Sequence, residues 1–165
     1  MEDKKIIEWV QANQPKDMLM TAAQDVELRA VMNLLEIDTV VEIGTYHGES
    51  AAFMAQFANR VITFDITDYP EKWPLWEAFN FIEKIEFTQV KTKEEIVQAL
   101  ALVEFDFAFV DDGHSYEECA ADFEIVKHCG RVLFHDVNHP NFKGVLKFAE
   151  EIGCKIFGNY GYWTK

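Results

Sequence analysis

The sequence predicts an α/β fold: a doubly wound, mostly parallel, Rossmann-like sheet that ends in a C-terminal antiparallel hairpin. Three observations predict it. Five short apolar runs rich in β-branched and aromatic residues recur through the middle of the chain, and segments with helical spacing or helix caps separate them. Several of the runs are apolar almost throughout instead of alternating, the pattern of strands buried on both faces. The last dozen residues read as two strands joined by a turn, and so short a connection can join only antiparallel strands.

Taken in order, residues 1–12 predict a short amphipathic helix through Ile6, Ile7 and Val10, which Pro15 breaks. Thr21 with Gln24 reads as a capping box, followed by the helical stripe Val26, Val31, Leu34 and Leu35. The five strands are TVVEIGT (39–45), RVITFDI (60–66), IEFTQV (85–90), FDFAFVD (105–111) and RVLFHDV (131–137). A helix over 49–59 follows the first. The second connection, 71–83, is expected to be irregular, with Pro70 and Pro74 denying it one regular helix. Thr92 with Glu95 caps a helix over 93–102, and Ser115 with Glu118 caps one over 116–128 that Gly130 closes. Pro140 suits the first turn of a helix that stops at Gly153, and Asn159-Tyr160-Gly161 turns the final hairpin. Alternating β and α units imply right-handed crossovers. The whole chain reads as a single domain: N-terminal helices over 1–37, a ligand-binding core over 38–138, and a last helix and hairpin over 139–165.

Composition narrows the function. The chain has 165 residues, 49% of them hydrophobic and 14% aromatic, which is material for a sizeable core and argues against disorder. Its 29 acidic and 15 basic residues give a net charge of −14, a field that repels phosphate backbones and anionic lipid. Neither nucleic acid nor membrane is expected as a partner. Three cysteines, Cys119, Cys129 and Cys154, have no metal-ligand spacing, and no signal peptide or membrane-spanning run is apparent, so a reducing, cytoplasmic location is expected.

Glu42, Asp65, Asp111 and Asp136 stand near the carboxyl ends of four strands. In a doubly wound sheet those ends share one edge, where ligands bind. Any one acid reads as a cap for the following loop or helix; four at equivalent places point to a ligand site. The first loop, VVEIGTYHGES, carries Gly44 and Gly48, which permit a tight turn and a close backbone approach to a ligand. It is not a dinucleotide loop: in the spacing G-x-G-x-x-G the second and third glycines would fall on Tyr46 and Glu49. A carboxylate would then stand where pyrophosphate should meet the helix N-terminus. No G-K-[ST] follows, so a P-loop is excluded too. The loop suits an extended ligand of little negative charge.

Val40 to Gly48 resembles the first motif of class I methyltransferases, whose donor is S-adenosylmethionine. The segments FDFAFVDDGHSYEECAADFE and RVLFHDV resemble a subgroup that includes macrocin-type sugar O-methyltransferases and cephalosporin-hydroxylase-related proteins. The resemblance covers residues 38–138. It implies that Glu42, Gly44, Tyr46, Gly48 and Ser50 surround the methionine moiety. It also implies that Asp65 holds the ribose hydroxyls and that Asp111 lies at the pocket floor beside the sulfonium. Catechol-type relatives hold Mg²⁺ with acids at the positions of Asp111 and Asp136, and carry a catalytic lysine where this chain has His114. The resemblance thus implies a divalent cation on Asp111 and Asp136, with His114 removing a proton from the acceptor. The departures are Asp112-Gly113 where the subgroup has Gly-Asp, Val90-Lys91-Thr92 where many relatives have an acid near adenine, and Val137 in place of a metal-binding amide. A metal-free site, with His135 and Asp136 bonded to loop backbone, stays open.

Other conspicuous residues read as structural. Tyr69, Trp73, Trp76 and Phe79 cover the sheet as core, with a lid as the alternative. Glu117, Glu118, Asp122 and Glu124 form a solvated helix face. Cys119 packs, His128 favours its helix end, and His139 beside Pro140 belongs to a turn. The leading function is an O-methyltransferase for a small polar acceptor. The alternatives are a cephalosporin-hydroxylase-like protein and a nucleoside-binding module without catalysis.

Overall fold

The structure is a computed structural model and describes residues 2–14 and 22–165. The Thr21–Gln24 capping box and the break at Pro15 lie outside the described residues. In chain order the elements are α1 (Glu2–Asn13), α2 (Ala22–Leu34), β1 (Thr39–Ile43), α3 (Glu49–Met54), β2 (Arg60–Asp65), α4 (Lys72–Ala78) and β3 (Ile85–Gln89). Then come α5 (Lys93–Leu100), β4 (Phe107–Val110), α6 (Tyr116–Val126), a 3₁₀ turn (Lys127–Cys129), β5 (Arg131–Phe134), α7 (Lys143–Glu151), β6 (Lys155–Phe157) and β7 (Tyr160–Thr164).

The seven strands form one sheet in the order β3-β2-β1-β4-β5-β7-β6. β1 to β5 are mutually parallel, and β7 runs antiparallel to both β5 and β6. The all-buried β1 and β4 account for the non-alternating runs. Successive residues feed opposite faces. Val40, Val61 and Phe107 pack with Ile6, Leu28, Phe53 and Trp76 beneath α1 to α4. Val41, Ile62 and Ala108 pack with Ile96, Phe123 and Phe148 beneath α5 to α7. At the amino edge Asp106 ties three strand starts: its carboxylate accepts from the Thr39 amide at 3.0 Å and from Arg131 Nη2 at 2.8 Å.

Four expectations change. The last helix starts at Lys143, so Pro140 lies in the turn before it and not in its first turn, and the final hairpin turns at Gly158-Asn159, with Tyr160 and Gly161 already in β7. The second connection contains a regular helix, α4, with Pro74 at its third residue; in a first turn the missing N–H has no intrahelical partner to lose. The helix expected over 49–59 stops at Met54, and the rest of that segment is turn. The Ser115–Glu118 capping box is complete, while the Thr92–Glu95 one is half made: Thr92 accepts from the Glu95 amide, but the Glu95 carboxylate takes the Lys91 amide at 2.5 Å. Gly130, at φ 83°, ends the 3₁₀ turn.

Candidate functional site

The carboxyl ends of β1, β2, β4 and β5 gather the four acids in different environments. Glu42, on the central strand, is fully buried. It accepts hydrogen bonds from Ser50 Oγ and Thr63 Oγ1, each at 2.5 Å, and Thr63 in turn meets Thr45 Oγ1 at 2.6 Å. Burial drives its pKa up to about 8; the two hydroxyls pull it down, while Asp111 and Asp65 add to the rise. Asp65, at the end of β2, accepts from the Tyr46 amide at 2.7 Å and the Thr67 amide at 2.8 Å. It clamps the loop after β1 to the loop after β2.

That first loop is bent by left-handed residues: Gly44 at φ 99°, Tyr46 at 46° and Gly48 at 79°. The glycines make room for protein. A Cβ on Gly44 would stand 2.3 Å from the Asp111 carbonyl oxygen, and one on Gly48 would stand 2.7 Å from Lys72 Cβ and 2.8 Å from Trp76 Nε1. The close approach read from the sequence as ligand access is therefore filled by β4 and α4. Trp76 Nε1 also donates to the Gly48 carbonyl at 2.9 Å, so this aromatic is core. Tyr46 meets His47 and Tyr69 edge to face, and Tyr69, from the connection after β2, tilts against His47.

Asp111, His114, His135 and Asp136 converge from the ends of β4 and β5. His135 Nδ1 lies 2.9 Å from Asp111 Oδ1, and His114 Nε2 lies 3.1 Å from Asp136 Oδ2. The hydrogen bond to Asp136 raises the His114 pKa against the opposing pull of burial, with Asp111 adding to the rise. Burial would lower His135, but Asp111 and Asp136 outweigh it and the net shift is upward. Burial would raise Asp136, but His114, His135 and Asn159 hold it below the usual carboxylate range. Asp111, His114 and Asp136 each present one donor atom, all within 4.8 Å of one another. Two carboxylates and an imidazole at that spacing fit a divalent cation, with hard oxygen donors dominant and one softer nitrogen. Asp136 adopts a left-handed backbone, φ 58°, to aim its carboxylate here.

Sequence reasoning missed three residues. Asn159, read only as a turn residue, donates from Nδ2 to Asp136 Oδ1 at 2.7 Å; the hairpin thus delivers a side-chain amide that Val137 does not supply. Phe142 stacks on His114. Asp122, read as part of a solvated face, is fully buried and paired with Lys93 from α5, which also lies 3.5 Å from Asp112. Burial lifts Asp122 to about 6 even against that ammonium. Its side chain faces α5, so the acid-rich stretch of α6 is only partly solvated. Cys119 is packing, as expected: burial pushes its thiol up to about 12.

A doubly wound sheet with order 3-2-1-4-5-7-6, an antiparallel last strand, acids at four strand ends and no dinucleotide loop defines a class I methyltransferase fold. The chain belongs to the methyltransferase domain family, whose model matches residues 41–137. It is 30% identical over 116 residues to catechol O-methyltransferase domain-containing protein 1 of Mus musculus; the match takes in 66% of this chain and 44% of that protein. The chain thus spans less than half the length of this curated relative. Among solved structures it resembles the O-methyltransferase of Bacillus cereus in complex with SAH, at 18% identity and a TM-score of 0.73, covering 99% of this chain and 90% of that one. It also resembles TomG of Streptomyces achromogenes, an O-methyltransferase of tomaymycin synthesis in complex with SAM, at 17% identity and a TM-score of 0.71, covering 99% and 89%. An SAH-bound methyltransferase of Podospora anserina matches at 15% identity and a TM-score of 0.75, covering 99% and 88%. At these identities the solved structures speak for the fold. Among the described residues no helix is long and apolar enough to cross a membrane.

Proposed function

We propose that this chain is an S-adenosylmethionine-dependent methyltransferase that methylates an oxygen of a small polar acceptor. The observation that carries the proposal is the set Asp65, Asp111, His114 and Asp136 along one sheet edge of a methyltransferase-family chain, beside a loop unsuited to phosphate. The O-methyltransferases named above support the choice of oxygen.

The residues fit the donor. Glu42 and Ser50, hydrogen-bonded to each other, underlie the loop Gly44–Gly48, and this loop, with Tyr46, is assigned to the methionine end. Asp65 is assigned to the ribose: each carboxylate oxygen accepts one amide and keeps a further lone pair. Ile66 beside it is 65% exposed, an apolar surface suited to a purine face. A recess of about 310 Å³ at the end of β3, lined by Thr88, Gln89, Val90, Lys91 and Glu95, is assigned to adenine. Backbone groups there would read the base in place of the acid seen in relatives. The donor, when bound, supplies an electrophilic methyl group on a sulfonium.

Asp111 and Asp136, with His114 close by, would hold a divalent cation that lowers the acceptor hydroxyl's pKa and orients it. His114 acts as base only when it stays off the cation: with the Asp136 carboxylate ionised it donates from Nε2–H, and its Nδ1 lone pair takes the acceptor proton. The protein's remaining tasks are alignment and exclusion of water. Within the family, the DDGHSYEE and FHDV segments support a place beside the macrocin-type and cephalosporin-hydroxylase-related subgroup. The three cysteines, all free, support a cytoplasmic location.

Calorimetry tests the donor: S-adenosylhomocysteine binds and NAD does not, and tighter binding of NAD sinks the proposal. Methyl transfer from labelled donor to a panel of hydroxylated small molecules tests the chemistry. Activity is lost in chelator and restored by magnesium or manganese; full activity in chelator removes the cation.

A further inference from the structure

We infer that Phe142 is a positioning residue for His114, held in place by His139. The inference rests on the functional reading above only for what His114 does, since the geometry stands without it.

The loop after β5 makes two successive turns. The His139 amide donates to the Asp136 carbonyl at 3.1 Å, and the Phe142 amide donates to the His139 carbonyl at 3.1 Å. Pro140 sits at the second position of the second turn, where its fixed φ is favoured. The Asn141 amide closes on His139 Nδ1 at 3.3 Å, pinning that ring to its own turn. His139 then lies on Phe142, with centroids 4.2 Å apart and planes 23° apart. The opposite face of Phe142 meets His114, centroids 3.8 Å apart and planes 24° apart. His114 completes the circuit by reaching Asp136 Oδ2 through Nε2 at 3.1 Å.

The contacts close on themselves: Asp136 starts the loop, the loop carries His139 and Phe142, Phe142 stacks on His114, and His114 bonds back to Asp136. An imidazole bonded at a single nitrogen can still rotate about that bond. A second ring flat against it removes the rotation, and His139 keeps Phe142 from retreating. Gly144 lets this happen. A Cβ there would stand 2.4 Å from the Tyr116 amide nitrogen and 2.9 Å from the His114 carbonyl oxygen, so the first turn of α7 rests directly on the 114–116 backbone. Phe142 is therefore delivered at stacking distance by a helix start with no side chain between it and the opposite loop. The spacing Asp136–His139–Phe142 is visible in the sequence, but its partner His114 lies 22 residues before Asp136 in the chain.

The test is proton and nitrogen NMR of the histidine rings in the full chain without added ligand. In the native protein the His114 ring protons are shifted upfield by Phe142, and the Nε2–H proton bonded to Asp136 is protected from exchange. Phe142→Ala loses both, while the amide spectrum away from the loops is unchanged. Phe142→Tyr restores both. Phe142→Leu, which fills the volume without a flat face, restores neither and serves if the alanine variant fails to fold. Unchanged His114 signals in Phe142→Ala, or full protection of Nε2–H in Phe142→Leu, overturn the inference. Calorimetry with S-adenosylhomocysteine on the same samples separates the two readings: a native protein that shows the stacked, protected His114 but binds no S-adenosylhomocysteine refutes the functional proposal and leaves the positioning role standing.

Discussion

Replacing Glu42 by glutamine stabilises the protein, and does so more strongly as pH rises. The carboxyl is fully buried on the central strand, and its pKa is raised from 4.5 to about 8. Below pH 4.5 it is neutral in both folded and unfolded chains and has no linkage effect. Between there and pH 8 the unfolded chain releases the proton while the folded one keeps it, so folding stability falls as pH rises. Above pH 8 both states are ionised and the loss is complete. A shift from 4.5 to about 8 sets a ceiling of about 5 kcal/mol. Relaxation and water entry return part of that, leaving an expected gain of about 2–4 kcal/mol for the variant at pH 8. Glutamine keeps the shape, and its carbonyl and amide can each pair with the Ser50 and Thr63 hydroxyls, which both donate and accept. Urea unfolding of both proteins from pH 5 to 8 measures the difference. A gap of the same size at both ends of that range refutes the reasoning.

Asp65→Ala weakens binding of S-adenosylhomocysteine by about 1–3 kcal/mol, read by calorimetry, with the fold intact. Gly48→Ala destabilises by about 2 kcal/mol or more in thermal or urea unfolding, because a left-handed backbone and the contacts with Lys72 and Trp76 both oppose a Cβ. Asp106→Ala costs about 1–3 kcal/mol of stability by leaving the Thr39 amide unpaired and removing the carboxylate, but not the carbonyl partners, of the Arg131 guanidinium, yet leaves S-adenosylhomocysteine affinity unchanged, since it acts at the opposite edge of the sheet.

The strands were legible because burial on both faces writes itself into short, continuous apolar runs, and the helix starts because Thr92 and Ser115 carry local capping partners. The four edge acids followed from strand order alone. What stayed hidden depends on distant pairs. Asp122 looked solvated because its helix is rich in acids, and only the crossing of α5 over α6 puts Lys93 against it. Asn159 looked like turn chemistry because nothing local says that the hairpin folds back onto β5 and Asp136. Gly44 was read correctly as a place of close approach, but the partner is the Asp111 backbone, which a linear reading cannot tell from a ligand.

The left-handed backbone at Asp136, φ 58°, lets two replacements at one codon separate the main chain's share of stability from the carboxylate's. Aspartate tolerates that conformation, but glycine adopts it at no steric cost. Asp136→Gly relaxes the main chain while deleting the carboxylate that meets His114 and Asn159. Asp136→Ala deletes the same carboxylate and keeps the strain. The lost hydrogen bonds are common to both variants, so the gap between their unfolding midpoints reports the backbone at this one residue, less the extra chain entropy of glycine.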